Sequence, residues 1–304
     1  MTAFPPALDA LQPATAATWR RASATVLPLV EERLLGLCRE QLQATQLRRV
    51  WQPPADCTDG ERLALALAEQ FAVDVNGISE AQVAALTDAL GGEAVNALVN
   101  SLYLVDMTLR LGLVVPVVLP GHEAAPAAAA EDSPAANPAD PGERIAAVIA
   151  DFAAAAVLAE GVDAVTSELV RLRCAQVHHC RLCGSLRQRS ALEEGFDEAM
   201  AERIARYEQG GFSAAATAAL RLVDTLILCP ADASDALRAE LHEHYSPAQV
   251  AELCFDVVKW SQQKALVATH SDAPPWEGVH VLNFDGEGHP LFEGPVAGGP
   301  DARQ

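Results

Sequence analysis

Residues 167–187 read SELVRLRCAQVHHCRLCGSLR. Glu168 stands twelve positions before Cys180, and Cys180 stands three before Cys183. On a helix, side chains three apart share a face. At a helix N-terminus, free N–H groups and the positive end of the dipole stabilise a thiolate. A thiolate attacks a peroxide oxygen where a thiol hardly does, and a second cysteine can resolve the sulfenic acid to a disulfide. The stretch therefore predicts one helix that carries a two-electron thiol redox site.

The rest of the chain predicts the same kind of scaffold. Its 304 residues are half hydrophobic, so a large core is well supplied, yet only 5% are aromatic and alanine abounds. Alanine favours helices, and strands want β-branched and aromatic residues. The expectation is an all-α fold. A formal charge of −20 repels phosphate backbones and anionic lipid, so nucleic acid and membrane surfaces are not expected partners. Lysine occurs only at Lys259 and Lys264, which reads as codon bias. Met1 to Ala10 has no basic segment followed by an apolar run, and no uncharged apolar stretch of about 18 residues occurs. These features predict a cytoplasmic protein. In a reducing compartment a CxxC pair points to catalysis or metal binding rather than to a structural disulfide.

Residues 121–142 are rich in Pro, Ala and acids and read as a flexible linker. They divide the chain into helical domains at 1–120 and 143–272, followed by an extended tail at 273–304. Helices are predicted near 12–24, 26–49, 60–74, 79–90 and 92–112. In the second half they fall near 143–159, 162–178, 180–194, 197–208, 213–228, 234–245 and 247–269. The halves read as copies. Shifted by 155 positions, residues 61–112 fall on 216–267 without a gap. Leu65, Ser79 and Leu98 then meet Leu220, Ser234 and Leu253, and both serines sit where helix N-caps belong.

The spacing Glu-x11-Cys-x2-Cys in ELVRLRCAQVHHCRLC resembles the alkylhydroperoxidase D and carboxymuconolactone decarboxylase superfamily. The later segment YSPAQVAELCFDVVKWSQQKALV is similar to that superfamily's closing helices. The resemblance covers about residues 143–270 and reaches residues 26–115 through the internal repeat. It implies two tandem alkylhydroperoxidase D-like helical bundles, the first without a CxxC. It implies that Cys183 attacks hydrogen peroxide or an organic hydroperoxide, that Cys180 resolves, and that Glu168 belongs to a proton relay. A dithiol protein would reduce the disulfide, with no bound cofactor. Members of the superfamily assemble as trimers or hexamers, which implies a homo-oligomer here, a trimer or pseudo-hexamer of repeats. The family's Cys-x3-His histidine is replaced by Arg187, which stays protonated and cannot relay a proton. Arg187 is expected to lower the thiol pKa by its charge or to pair with Glu168. The relay base would be His179 or His178, which point about 100° apart on a helix.

Other readings compete. His178 or His179 with both cysteines offers three zinc ligands, but structural zinc wants four and no second Cys/His pair stands at ligand spacing. Cys38, Cys174, Cys229 and Cys254 sit in apolar runs as core thiols, and Cys57 in an exposed loop. The repeats could instead form a non-catalytic assembly or small-molecule-binding protein with a vestigial site. A carboxymuconolactone decarboxylase-type lyase is the third reading, and retention of the CxxC argues against it.

Overall fold

A computed structural model describes residues 4–122 and 140–296. The chain is mainly helical. The first half runs α1 (Pro6–Leu11), α2 (Pro13–Val26), α3 (Glu32–Gln46), α4 (Asp59–Val73), α5 (Glu80–Leu90) and α6 (Gly92–Val118). The second runs α7 (Pro141–Val157), α8 (Ala164–His178), α9 (Arg181–Gly184), α10 (Arg189–Glu193), α11 (Glu198–Arg203), α12 (Ala214–Leu228), α13 (Asp235–His244), α14 (Pro247–Ser261) and α15 (Gln263–Ala268). Most of the predicted linker, residues 123–139, lies outside the described residues.

Local chemistry sets many of these boundaries. Thr58, Ser79 and Ser246 each form a reciprocal capping box with Glu61, Gln82 and Gln249. Ser234 caps α13, as its place before the apolar spacing predicts.

The core runs through both halves. The rings of Trp19 (α2), Tyr103 (α6), Phe152 (α7) and Phe255 (α14) form a chain with centroids 4.8–6.1 Å apart. The Tyr103 hydroxyl donates to the Val258 carbonyl at 2.9 Å, which satisfies its one buried donor. Helix α6 holds no uncharged apolar stretch of about 18 residues, since Asp106 and Arg110 interrupt it, yet it is long and apolar enough to cross a membrane by length and composition. Its best window has a mean hydropathy of 1.6 and passes by length and composition. That window is 72% buried inside the protein, with Asp106 and Arg110 paired within the helix.

The mainly helical fold is as expected, with two local departures. The predicted helix over 180–194 is broken into α9, a strand β1 (Leu186–Gln188) and α10. The tail forms strands β2 (His280–Phe284) and β3 (Pro290–Pro295). Together they make a three-stranded sheet, β1 parallel to β2 and β2 antiparallel to β3. Leu186, Arg187 and Gln188 face His280, Val281 and Leu282 in register. The tail buries Leu282 only by taking backbone partners on β1, and β1 can offer them only because the helix stops there.

The hairpin turn rests on α7. Gly288 has φ +83°, and a Cβ there would lie 2.8 Å from the Ala154 carbonyl oxygen. Gly288→Val should therefore cost about 2 kcal/mol locally through strain and overpacking. The expected readout is faster amide exchange across β2 and β3 with α4 and α12 unaffected. Unchanged exchange would show that the hairpin does not depend on this seat.

Candidate functional site

Glu168 and Arg171 lie one turn apart on α8, and neither side chain is exposed to solvent. Arg171 Nε and Nη2 donate to Glu168 Oε2 and Oε1 at 2.6 and 2.7 Å. This is a two-pronged charge-assisted pair, the strongest geometry available to a buried carboxylate. The same guanidinium donates to the carbonyls of Cys183, at 2.7 Å, and Leu186. Glu168 Oε1 accepts the Gln188 N–H at 3.3 Å. The helix that sequence periodicity carries onward through 180–194 would satisfy those carbonyls with its own N–H groups. Here a side-chain ion pair does so, which stabilises the break.

The cysteines therefore sit on a separate turn from Glu168, not on one helix as expected. Helix α8 ends at His178, and His179 takes φ +55°. Cys180 is the N-cap of α9, and its Sγ accepts the Cys183 N–H at 3.5 Å. Both thiols are free. Cys180 is buried and Cys183 half-buried. Their hydrogen bond to each other pushes the Cys180 thiol well above the usual range and draws Cys183 below it. Burial opposes the lowering at Cys183, and the charges of Arg171 and Lys259 support it. A four-residue turn has little dipole, so fixed side-chain charges take the role expected of a long helix N-terminus. By contrast, burial pushes Cys38 and Cys254 up to about 12, as fits inert core thiols. Two expectations about the other cysteines are corrected. Cys57 is buried, and Cys229 is half-buried at the end of α12.

Cys183 opens onto a cavity of about 300 Å³ between α7, α14 and the C-terminal hairpin. Its walls are mostly apolar, from Ile149, Leu186, Trp260, Leu282 and Phe284. One basic side chain enters it from α14. Lys259 is 2% exposed, and its Nζ lies 3.0 Å from the Trp260 ring centroid and 4.7 Å from that of Phe284. That nitrogen has no hydrogen-bond partner among the described residues. Cys180 lines a different, wider cleft of about 820 Å³, together with His179, Arg187 and Glu198. The two cysteines thus border two separate spaces.

The remaining candidates fall outside the thiol contacts. Arg187 lies on β1, and its Nε and Nη2 donate to Glu198 Oε1 and Oε2 at 2.8 Å each. The expected pairing with Glu168 is therefore corrected: Arg171 occupies that carboxylate. His179 stands at the end of α8 on the rim of the wider cleft. His178 is buried against Ser261 Oγ at 3.1 Å, and burial holds its imidazole neutral. Neither histidine makes a hydrogen bond to a cysteine or to Glu168 among the described residues. No cluster of three or more His, Cys, Asp or Glu able to hold a metal occurs among them.

Sequence reasoning missed Arg171, Lys259 and the hairpin. Arg171 had a signal: it stands three after Glu168, the spacing of an intrahelical ion pair. Lys259 had one too, as one of only two lysines, set in the apolar run FDVVKWS. Both lysines are buried, which codon bias does not explain.

The chain is similar to two Mycobacterium tuberculosis proteins. Uncharacterized protein Rv2313c, of strain ATCC 25618 / H37Rv, is 35% identical over 215 residues, 70% of this chain and 74% of the relative. Uncharacterized protein MT2376, of strain CDC 1551 / Oshkosh, matches to the same extent. No family model matches, and no solved structure does.

Proposed function

We propose that this chain, which belongs to one family with Rv2313c and MT2376 of Mycobacterium tuberculosis, is a thiol-dependent peroxidase of alkylhydroperoxidase D type. The observation that carries this reading is the geometry of two free thiols on one turn, with Cys180 Sγ accepting the Cys183 N–H and Cys183 lining a mostly apolar cavity. The Cys183 thiolate attacks the terminal oxygen of a hydroperoxide. The O–O bond breaks, and the alkoxide or hydroxide that leaves takes a proton. Cys180 then displaces water from the sulfenic acid, and the Cys180–Cys183 disulfide closes. An external dithiol protein returns both thiols. Glu168, held by Arg171, acts as a fixed anchor for the Cys183 carbonyl side of the turn rather than as a relay base.

Element bounds support the duplication. A shift of 155 carries α4 (Asp59–Val73) onto α12 (Ala214–Leu228), and the one-turn helix Val75–Gly77 onto Pro230–Asp232. It also carries the starts of α5 and α6 onto those of α13 and α14. Gln46 bonds Asp106 at 2.6 Å in the first half, and His178 bonds Ser261, 155 positions after Asp106, in the second. On this reading the first repeat is a silent copy that packs the second. A cytoplasmic homo-oligomer, a trimer of two-repeat chains, follows from the same family likeness. A monomer by light scattering at micromolar concentration would overturn that.

The decisive experiment is consumption of cumene hydroperoxide with a dithiol donor. Cys183→Ser should lower the rate by about a hundredfold or more, as loss of a nucleophile does. Mild oxidation of the parent should give a mapped Cys180–Cys183 disulfide. A variant as fast as the parent sinks the peroxidase reading. The mostly apolar cavity also favours a small-molecule-binding protein with a vestigial site. That alternative predicts neither turnover nor disulfide.

A further inference from the structure

Lys259 is the unusual group in this site. Its three potential N–H donors meet no acceptor among the described residues, and its nitrogen rests on two aromatic faces. An ammonium in such a place gains from the ring quadrupoles but loses its hydration, so its charge is easily given up. It shares its cavity with the Cys183 thiol. The other basic residue lining that cavity, His289, is half-exposed at the hairpin turn, and its Nδ1 lies 3.4 Å from Asp285.

We propose that Lys259 is the proton acceptor of the Cys183 thiol and returns that proton to the leaving oxygen of the peroxide. The assignment rests on Cys183 being the reactive thiol, as proposed above. It supplies the relay for which Arg187, His178 and His179 are out of place. The steps balance. The S–H proton reaches the Nζ lone pair through a water in the shared cavity, because the sulfur is outside direct hydrogen-bond reach of Nζ, and this leaves a thiolate and an ammonium over Trp260 in one cavity. The thiolate takes the terminal oxygen, and the O–O electron pair leaves with the other oxygen. The ammonium protonates that oxygen to an alcohol or water, and the amine is restored for the next cycle.

The surroundings agree with a proton that moves. Burial pulls Lys259 well below the usual lysine range. The charged and titratable groups that face it are Asp256 on its own helix, Arg171 and Glu168 on α8, and Cys183 on α9. Arg171 and Glu168 neutralise each other. Burial pushes Asp256 up to about 7, so it is a weak counter-ion. From α7 the cavity receives Ala146, Ile149, Ala150 and Ala153, and from the hairpin Phe284 and Phe292, all without charge.

The test uses the full chain and two variants, Lys259→Met and Lys259→Arg, each checked for folding by far-UV circular dichroism. Cys183 alkylation by iodoacetamide is followed by peptide mass against pH, and cumene hydroperoxide consumption is followed in parallel. Lys259→Met should slow alkylation at pH 7 by about tenfold or more and move the profile to higher pH. Lys259→Arg keeps a charge that cannot be given up. It should bring alkylation back to within about threefold of the parent while peroxide consumption stays at least about tenfold down. A merely structural lysine would not split the two readouts. A parental alkylation profile in Lys259→Met overturns the assignment, and so does an arginine variant that restores both activities. If Lys259→Met does not fold, the arginine variant carries the test. If the parent itself consumes no peroxide, the peroxidase reading falls, while the alkylation profiles still judge Lys259 as the thiol's proton acceptor.

Discussion

Arg171→Met should lower the free energy of unfolding by about 3–5 kcal/mol, the cost of removing one partner of a buried ion pair. Glu168 has no exposed surface, and both its oxygens accept from Arg171. Without the guanidinium its charge is left in the interior with the Gln188 N–H as its remaining backbone donor. The carbonyls of Cys183 and Leu186 lose a donor at the same stroke. Urea denaturation followed by circular dichroism measures the loss. Lysine should not rescue, because one ammonium cannot reach two carboxylate oxygens and two carbonyls as the planar fork does. Pairing the change with Glu168→Leu should recover much of the loss, since an apolar replacement leaves no stranded charge. A single-variant loss under about 1 kcal/mol would mean that Glu168 takes up a proton or water cheaply. The ion pair would then not be what holds the cysteine turn.

The second large effect is expected at Asp106→Ala. Asp106 lies in α6 with no exposed surface, and it holds two cations from different parts of the chain. Arg110 Nε reaches Oδ1 at 2.9 Å, and Lys264 Nζ reaches Oδ2 at 2.6 Å. Gln46 Nε2 donates to Oδ1 at 2.6 Å. Arg110 also donates to the carbonyls of Ala72, at 2.8 Å, and Leu226, at 3.1 Å, and so ties α4 to α12. Removal of the carboxylate strands both cations and should cost about 3–5 kcal/mol at pH 7. The pH dependence has a definite sign. Burial already pulls Lys264 down to about 8. Above that value the native state holds fewer protons than the unfolded chain, so Lys264's contribution to stability rises with pH until the unfolded lysine itself titrates. Without Asp106 the native lysine loses its proton at still lower pH, and its penalty is greatest on the acid side. The deficit of Asp106→Ala should therefore shrink between pH 7 and pH 10. A deficit that grows with pH would show that Lys264 does not depend on Asp106.

Much of the framework was legible in the sequence, because helices are specified locally. Ser79 and Ser234 announce helix starts, and each then accepts the expected backbone N–H. The apolar spacing over 213–228 and 234–245 matches α12 and α13 to within a residue. Cys180 and Cys183 meet because three positions of chain bring them together in any single turn. The ion pair between Glu168 and Arg171 was equally local and was there to be read at a spacing of three.

What the sequence alone did not decide depended on which segments meet in space. The break at residues 180–194 has no proline to announce it; it exists because Arg171 and the tail supply bonds that a continued helix would have made. The tail reads as extended, yet its register on β1 is set by a partner some ninety positions away. Arg187 stands four positions after Cys183, within reach of the thiols by sequence, but β1 turns it towards Glu198. Lys259 reads as a lysine in an apolar helix, and only the docking of α7 and the hairpin makes its surroundings a cavity shared with Cys183. Helix boundaries and the pairing of the two thiols were thus determined by neighbours in sequence. The cavity and the charges around those thiols were decided by tertiary structure, because burial and charge depend on everything within reach of a group and not on its place in the chain.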